Sequence, residues 1–407
     1  MAPHGDDVLV TGVGALTPLG ATAAESWDGL LAGRSGIRDL GPDWPEELPV
    51  RIAGTVEADL TAAIGRAQAR KLDRGEQLAV VAARQAWEDA GVPRVEPERL
   101  AVVVGTGIGG VLSTLGQDDL YEGSGMRRLS PFAVPMLMPN GPAAWVSMEL
   151  GARAGARACV SACASGAESI ALGLDLIRLG RADVVVAGGT EAALHPFMIG
   201  AFAQMKALSV RDGDPAAVSR PFDAARSGFV MAEGATLLVL ERAEFARARG
   251  ARVYGAVAGA AVHSSAHHIT SSDAEGQAQA MRTALADAGV EARDLGHVHA
   301  HATSTPSGDI AEAEALAKVV GEGTAVTATK SMTGHMLGAS GAFGAMSTLL
   351  SLHHGVVPAV RNLDEQDPEV RLDVVRGENR TGSWDAALAN SFGFGGHNVS
   401  LVLKRAS

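Results

Sequence analysis

The chain has 407 residues, 47% hydrophobic but only 4% aromatic, so Ala, Val, Leu and close contacts at its fifty glycines must fill any core. A formal net charge of −12 argues against a nucleic-acid binder, and two cysteines cannot build a disulfide framework, which points to a reduced, intracellular setting. No leader pattern opens "MAPHGDDVLVTGVG", and the apolar stretch "VVVAGGTEAALHPFM" is broken by Glu191, His195 and Pro196, so a soluble cytoplasmic protein is expected.

Taken in chain order, short apolar runs alternate with longer helical patterns. "DVLVTGVGAL" reads as a buried strand, "RGEQLAVVAARQAWEDAGV" as a helix closed by glycine, and "ERLAVVVGTGIGG" as a strand ending in a glycine turn. Gly105–Gly110 matches GxGxxG, but it lies outside the first βα unit and no acidic ribose ligand ends the next strand, so no dinucleotide site is read there. "ARACVSA" predicts a strand carrying Cys159, "SGAESIALGLDLIRLG" a helix, and "ADVVVAGGTE" a further strand. This alternation predicts an α/β fold.

The second half echoes the first in the same order. "ARVYGAVAGAAVHSS" answers the opening strand, and "LGHVHAHATST" answers "LAVVVGTGIGG". "TAVTATKSMTGHMLGASGAFGAMSTLL" answers "RACVSACASGAESIALGLDL", and "AALANSFGFGGHNVSLVL" answers "ADVVVAGGTEA". Four matched elements predict a duplicated α/β unit, residues 1–250 and 251–407, with a site between the copies.

Both cysteines fall at one junction. Cys163 stands where a strand gives way to a helix, where unpaired N–H groups and the helix dipole favour a thiolate and lower its pKa. Ala162, Ala164, Ser165 and Gly166 leave room for a bulky acyl group. Read alone, Cys163 is equally a nucleophile or a small core hydrophobe, while Cys159 reads as packing. His297, His299 and His301 alternate along one strand and share a face, which allows zinc, although ligands in a single strand fit a tetrahedron poorly. His301 enters a hydroxyl-rich turn, and His335 enters a small-residue helix at the corresponding end of another unit.

"VSACASGAESI", "HAHATSTPSGD", "TKSMTGHMLGASG" and "NSFGFGGHN" together resemble the signature blocks of the elongating β-ketoacyl-[acyl-carrier-protein] synthases, in order over nearly the whole chain. The resemblance implies a thiolase-like fold of duplicated α/β halves in five αβαβα layers, with no metal and no organic cofactor. It implies Cys163 as acyl-accepting nucleophile and His301 and His335 as hydrogen-bond donors to the malonyl thioester. The N–H groups of Cys163 and Phe394 would form a second oxyanion hole. Lys330 and Glu312 match a buried ion pair, and Asp309 matches the acidic position after the turn. Thr303 and Thr305 would line the pantetheine and malonyl entrance. Phe394 resembles a gate over an acyl pocket lined by Ile108 and Phe202. The implied partners are acyl- and malonyl-loaded acyl carrier protein and a second copy of the chain, with no nucleic acid and no membrane. Arg66, Arg70, Lys71, Arg127, Arg128 and Lys206 are the basic candidates for carrier docking. Cys159 would lie near the dimer interface.

Three positions depart from the family pattern. Ala302 replaces the usual glycine beside His301 and substitutes one methyl at the malonyl site, which predicts partial tolerance of inhibitors that occupy it. Ala133 stands for a larger aromatic residue and predicts a roomier acyl pocket, and His397 replaces a commoner threonine. A thiolase would need a second cysteine near "NSFGFGGHN", and a non-catalytic chain-length-factor-like subunit would lack the nucleophile. Fatty-acid elongation is therefore the preferred reading, with a dedicated polyketide or inhibitor-tolerant synthase as its alternative.

Overall fold

The computed structural model describes residues 8–406 apart from 322. The expectation of no leader, and Asp7 of the first predicted strand, lie outside these residues.

Eleven strands form one sheet. In the first half they are β1 (Val8–Leu16), β2 (Leu100–Gly105), β3 (Ala156–Arg157), β4 (Val184–Glu191) and β5 (Gly234–Arg242). In the second half they are β6 (Gly255–Ser264), β7 (Leu295–His299), β8 (Ala325–Thr327), β9 (Asp373–Val374), β10 (Ala386–Gly393) and β11 (His397–Arg405). The order is β9-β8-β7-β10-β11-β6-β1-β5-β4-β2-β3, which reads the same from both ends once β9 is set aside. Each half joins parallel β2-β4 or β7-β10 to an antiparallel return strand, β5 or β11. The halves meet where Leu9 and Val10 of β1 pair with Ala256 and Gly255 of β6. This is the internal duplication the sequence echo anticipated.

Layering follows from strand alternation. In β2, Val102 and Val104 face an outer core under helices α1 (Arg74–Asp89) and α2 (Gly141–Leu150), while Ala101 and Val103 face inward. The inward core holds helices α3 (Ser165–Arg178) and α6 (Ser340–His354). The second half is covered outside by α4 (Ala274–Ala288) and α5 (Pro306–Val319). Five layers result. Every residue of α6 from Ser340 to Leu352 is buried, as a helix with strands on both sides and another helix beside it must be. That buried stretch is built accordingly of Gly, Ala, Ser, Thr, Leu, Met and Phe.

The predicted "ARACVSA" strand is shorter than expected. Only Ala156 and Arg157 join the ladder, because β3 is the sheet's edge and has no neighbour beyond it in the single chain. Cys159 lies past the strand, buried, its carbonyl accepting from the Thr106 N–H at 3.2 Å. Among the described residues no helix is long and apolar enough to cross a membrane.

Candidate active site

Cys163 sits in a 3-10 turn, Ala162–Ala164, between β3 and the start of α3. Ala162 has φ +52°, a left-handed conformation that costs an L-residue about 1–2 kcal/mol and turns the chain sharply enough to present the next side chain. The turn is pinned from the other half, where the Ser391 hydroxyl donates to the Cys163 carbonyl at 2.9 Å. Gly393 presses closer still: a Cβ there would lie 2.4 Å from the Ser161 carbonyl, so only glycine brings the next N–H, that of Phe394, to the sulfur.

The thiol is not acidified as the helix-dipole argument anticipated. Burial pushes it up to about 12, against the opposing Lys330 charge and the N–H groups of Phe394 and Cys163. Desolvating a thiolate outweighs the partial charge of one helix start. Alkylation by iodoacetamide should therefore rise about tenfold per pH unit between about pH 7 and 9 in the free protein; a plateau below pH 8 would contradict this.

His301 follows β7 and His335 follows the short helix Lys330–Thr333. Their rings stand 5.4 Å apart at 82°, and both pKa values are held well below the usual histidine range, first by burial and then by the Lys330 charge. Both imidazoles are neutral at pH 7. The Lys330 ammonium lies 3.4 Å from His301 Nδ1, which favours the tautomer with its proton on Nε2. His335 Nδ1 meets the Ser340 hydroxyl at 2.9 Å, leaving Nε2 buried with no protein partner.

Lys330 and Glu312 are both buried, but their hydrogen bonds run to the backbone of His301 and Ala302 and not to each other. Glu312 accepts the N–H of His301 at 2.8 Å and of Ala302 at 2.6 Å, while Lys330 donates to the His301 carbonyl. The expected ion pair is thus a clamp on one stretch of backbone, with the peptide groups of His301 between the charges. Burial raises Glu312 to about 7 and lowers Lys330 to about 8.

Cys163, His301, His335, Glu312 and Phe394 line one cavity of about 450 Å³ between the halves. Phe202, Ala302, Thr303 and Thr305 line it too, the two threonine hydroxyls 3.0 Å apart, and exposed Lys206 stands at its rim. Ile108 does not line it but packs with Cys163, Phe202 and Phe229 in an apolar cluster behind it. Asp309 is outside as well. It accepts from the N–H groups of Phe222 and Ser304, lies 3.6 Å from Arg226, and is raised to about 6 by burial. Ala302 is buried, its methyl packed in the outer core of the second half. Ala133 does not line this cavity. His297 and His299 are core residues, and among the described residues no three His, Cys, Asp or Glu side chains converge as metal ligands. Arg66, Arg70, Lys71, Arg127 and Arg128 are exposed, with Lys71 5.3 Å from the Phe132 ring.

Two features escaped the sequence reading. The polar loop Ser265–Asp273 forms part of the cavity wall and is tied to the Phe394 loop by the Gly395 N–H donating to the Ile269 carbonyl at 2.7 Å. Its signal was the run "SSAHHITSSD" after a strand. Glu191, buried at the end of β4, accepts from Thr106, Gly107, Ile108 and Gly338 and so joins both halves beneath Cys163. An acidic residue closing an apolar strand was its signal.

A duplicated five-layer fold, with a cysteine turn and two neutral histidines meeting between its halves, is the architecture of the thiolase-type condensing enzymes. Within that class the chain belongs to the β-ketoacyl synthase family: the family's N-terminal domain model matches residues 5–246 and its C-terminal domain model residues 254–364. It is 40% identical over 406 residues to the 3-oxoacyl-[acyl-carrier-protein] synthase 2 of Synechocystis, covering 98% of each chain. Among solved structures it superposes on a beta-ketoacyl synthase from Burkholderia phymatum with TM-score 0.93 and 35% identity, covering 99% of this chain and 100% of that one. It also superposes on a type II polyketide ketosynthase, solved with its acyl carrier protein and a bound hexaketide, at TM-score 0.91 and 29% identity over 99% and 100% of the two chains.

Proposed function

We propose that the chain condenses acyl-carrier-protein thioesters with malonyl-carrier protein, releasing carbon dioxide and extending the acyl chain by two carbons in fatty-acid elongation. The observation that carries this is the neutral His301 and His335 pair in the cavity of Cys163, with one imidazole nitrogen of His335 left without a partner. Cys163 takes the acyl group as a thioester, and its proton leaves with the displaced pantetheine thiol. Malonyl then loses carbon dioxide, the bond's electron pair passes to an enolate whose oxygen is held by the two Nε2–H groups, and the carbanion attacks the thioester. The N–H groups of Cys163 and Phe394 hold the tetrahedral oxyanion, whose collapse frees the Cys163 thiolate. Lys330 and Glu312 act by fixing the His301 backbone, and Asp309 by tying the turn that carries Thr303 and Thr305.

Residues 1–250 supply the nucleophile in this reading and residues 251–407 the histidines. The acidic carrier protein docks on Arg66, Arg70, Lys71, Arg127, Arg128 and Lys206, whose exposure supports the assignment. A homodimer across the open edge of β3 is supported by Met126, Val134, Met148 and Val160, all more than half exposed on elements leading to that edge. A cytoplasmic location fits two free cysteines and a soluble carrier partner. The test is intact mass after incubation with a series of acyl-carrier proteins. An acyl adduct that disappears as 3-oxoacyl-carrier protein when malonyl-carrier protein is added is the expected result, and a folded protein forming no adduct with any chain length would overturn it.

A further inference from the structure

His299 is a buried histidine that the steps above do not use. It ends β7, two residues before His301, and its Nε2 meets the Thr329 hydroxyl at 2.9 Å. Thr329 caps the short helix Lys330–Thr333, its carbonyl accepting the N–H groups of Met332 at 2.9 Å and Thr333 at 3.1 Å. That helix carries Lys330 at its first position and delivers the chain to His335 two residues past its end. One side-chain bond therefore couples the strand that leads into the His301 turn to the helix that places both Lys330 and His335.

The surrounding structure is shaped around this ring. The His299 pKa is pushed down to about 3, first by burial and then by the Lys330 charge, so the imidazole stays neutral beside the ammonium. Helix α6 passes it with Gly344, where a Cβ would lie 2.9 Å from Nδ1 and 3.0 Å from Cε1. The backbone on either side is already held, by the His299–Thr327 pairing of β7 with β8 and by the Ala300 N–H donating to the Thr327 carbonyl at 2.8 Å. The side chain is thus not needed to keep its own strand in the sheet. What it adds is the link to Thr329.

We propose that His299 is a positioning residue for the decarboxylation and condensation half-reaction, holding Lys330 through Thr329 where it meets the His301 carbonyl and Nδ1. The proposal rests on the function given above. It separates the two half-reactions, because Cys163 is pinned by Ser391 and Gly393 on other elements and Lys330 reaches its thiol only through its charge, whereas Lys330 bonds His301 directly.

The experiment compares His299→Ala, His299→Gln, Thr329→Val and the His299→Ala/Thr329→Val double variant with the wild type. Acyl transfer to Cys163 is followed by intact mass, and condensation by product formation from the preformed acyl-enzyme. His299→Ala and Thr329→Val should each slow condensation about tenfold while acylation stays within about twofold. The double variant should be no worse than the slower single variant, because both remove one bond. His299→Gln, which can reach the same hydroxyl, should restore most of the rate. Thr329→Val keeps the shape of the side chain and guards against a folding defect in His299→Ala. Unchanged condensation in both single variants would overturn the proposal, as would an equal fall in both half-reactions. A wild-type protein that acylates but never condenses would instead remove the function on which the proposal stands, and the proposal with it.

Discussion

Cys163→Ala removes acyl-enzyme formation altogether and lowers condensation by about 10⁴-fold or more, since no other nucleophile lines the reacting end of the cavity. Cys159, the other cysteine, is buried beyond the edge strand and does not line the cavity, so it cannot substitute. The variant should still decarboxylate malonyl-carrier protein, because His301, His335 and the Lys330–Glu312 clamp come from the second half and lose no contact with one another. Intact mass and carbon dioxide release, measured on the same sample, check both statements. A persistent acyl adduct on the variant would place the nucleophile elsewhere.

His335→Ala should give the converse pattern. Acylation of Cys163 continues, while condensation falls about 10²- to 10³-fold, the usual cost of losing one donor to a developing oxyanion. Nε2 of His335 is buried without a protein partner, while Nδ1 is fixed by Ser340. A preorganised donor needs no reorientation when the enolate forms, so its strength is available in the transition state. Single-turnover measurement of acylation and condensation separates the steps. Loss of acylation at the same rate as condensation would mean that His335 shapes the cavity and does not contact the reacting oxygen.

The duplicated architecture was legible because it is written in one-dimensional patterns. Apolar runs ending in glycine and small-residue helix starts recur in the same order in both halves, and the sheet order reproduces that symmetry. The turn at Cys163 was legible for the same reason, since a strand pattern, a cysteine and a helix pattern follow one another without a break. Other features depend on what comes from far along the chain. The thiol's pKa is raised by burial among residues distant in sequence, Ile108, Phe202 and Phe229 among them, and the helix it precedes does not outweigh that. The resemblance implied an ion pair between Lys330 and Glu312, yet each bonds the His301 backbone instead. The strand over "ARACVSA" shortened because its propensity has no second neighbour to pair with. The wall formed by Ser265–Asp273 carries no periodicity, and its polar run says nothing by itself of the cavity it closes.

The two central helices also bear on how the molecule is made. α6 is buried on every side, and α3 nearly so, each covered in part by the other half of the chain. When the first 250 residues have left the ribosome, α3 still lacks α6, against whose Gly341 and Ala342 its Ala167 and Gly166 pack. A nascent first half is therefore a sticky species that must wait for more than a hundred further residues, several seconds at ordinary rates of synthesis. The same shared layer that brings Cys163 to the two histidines makes late completion part of how this chain folds.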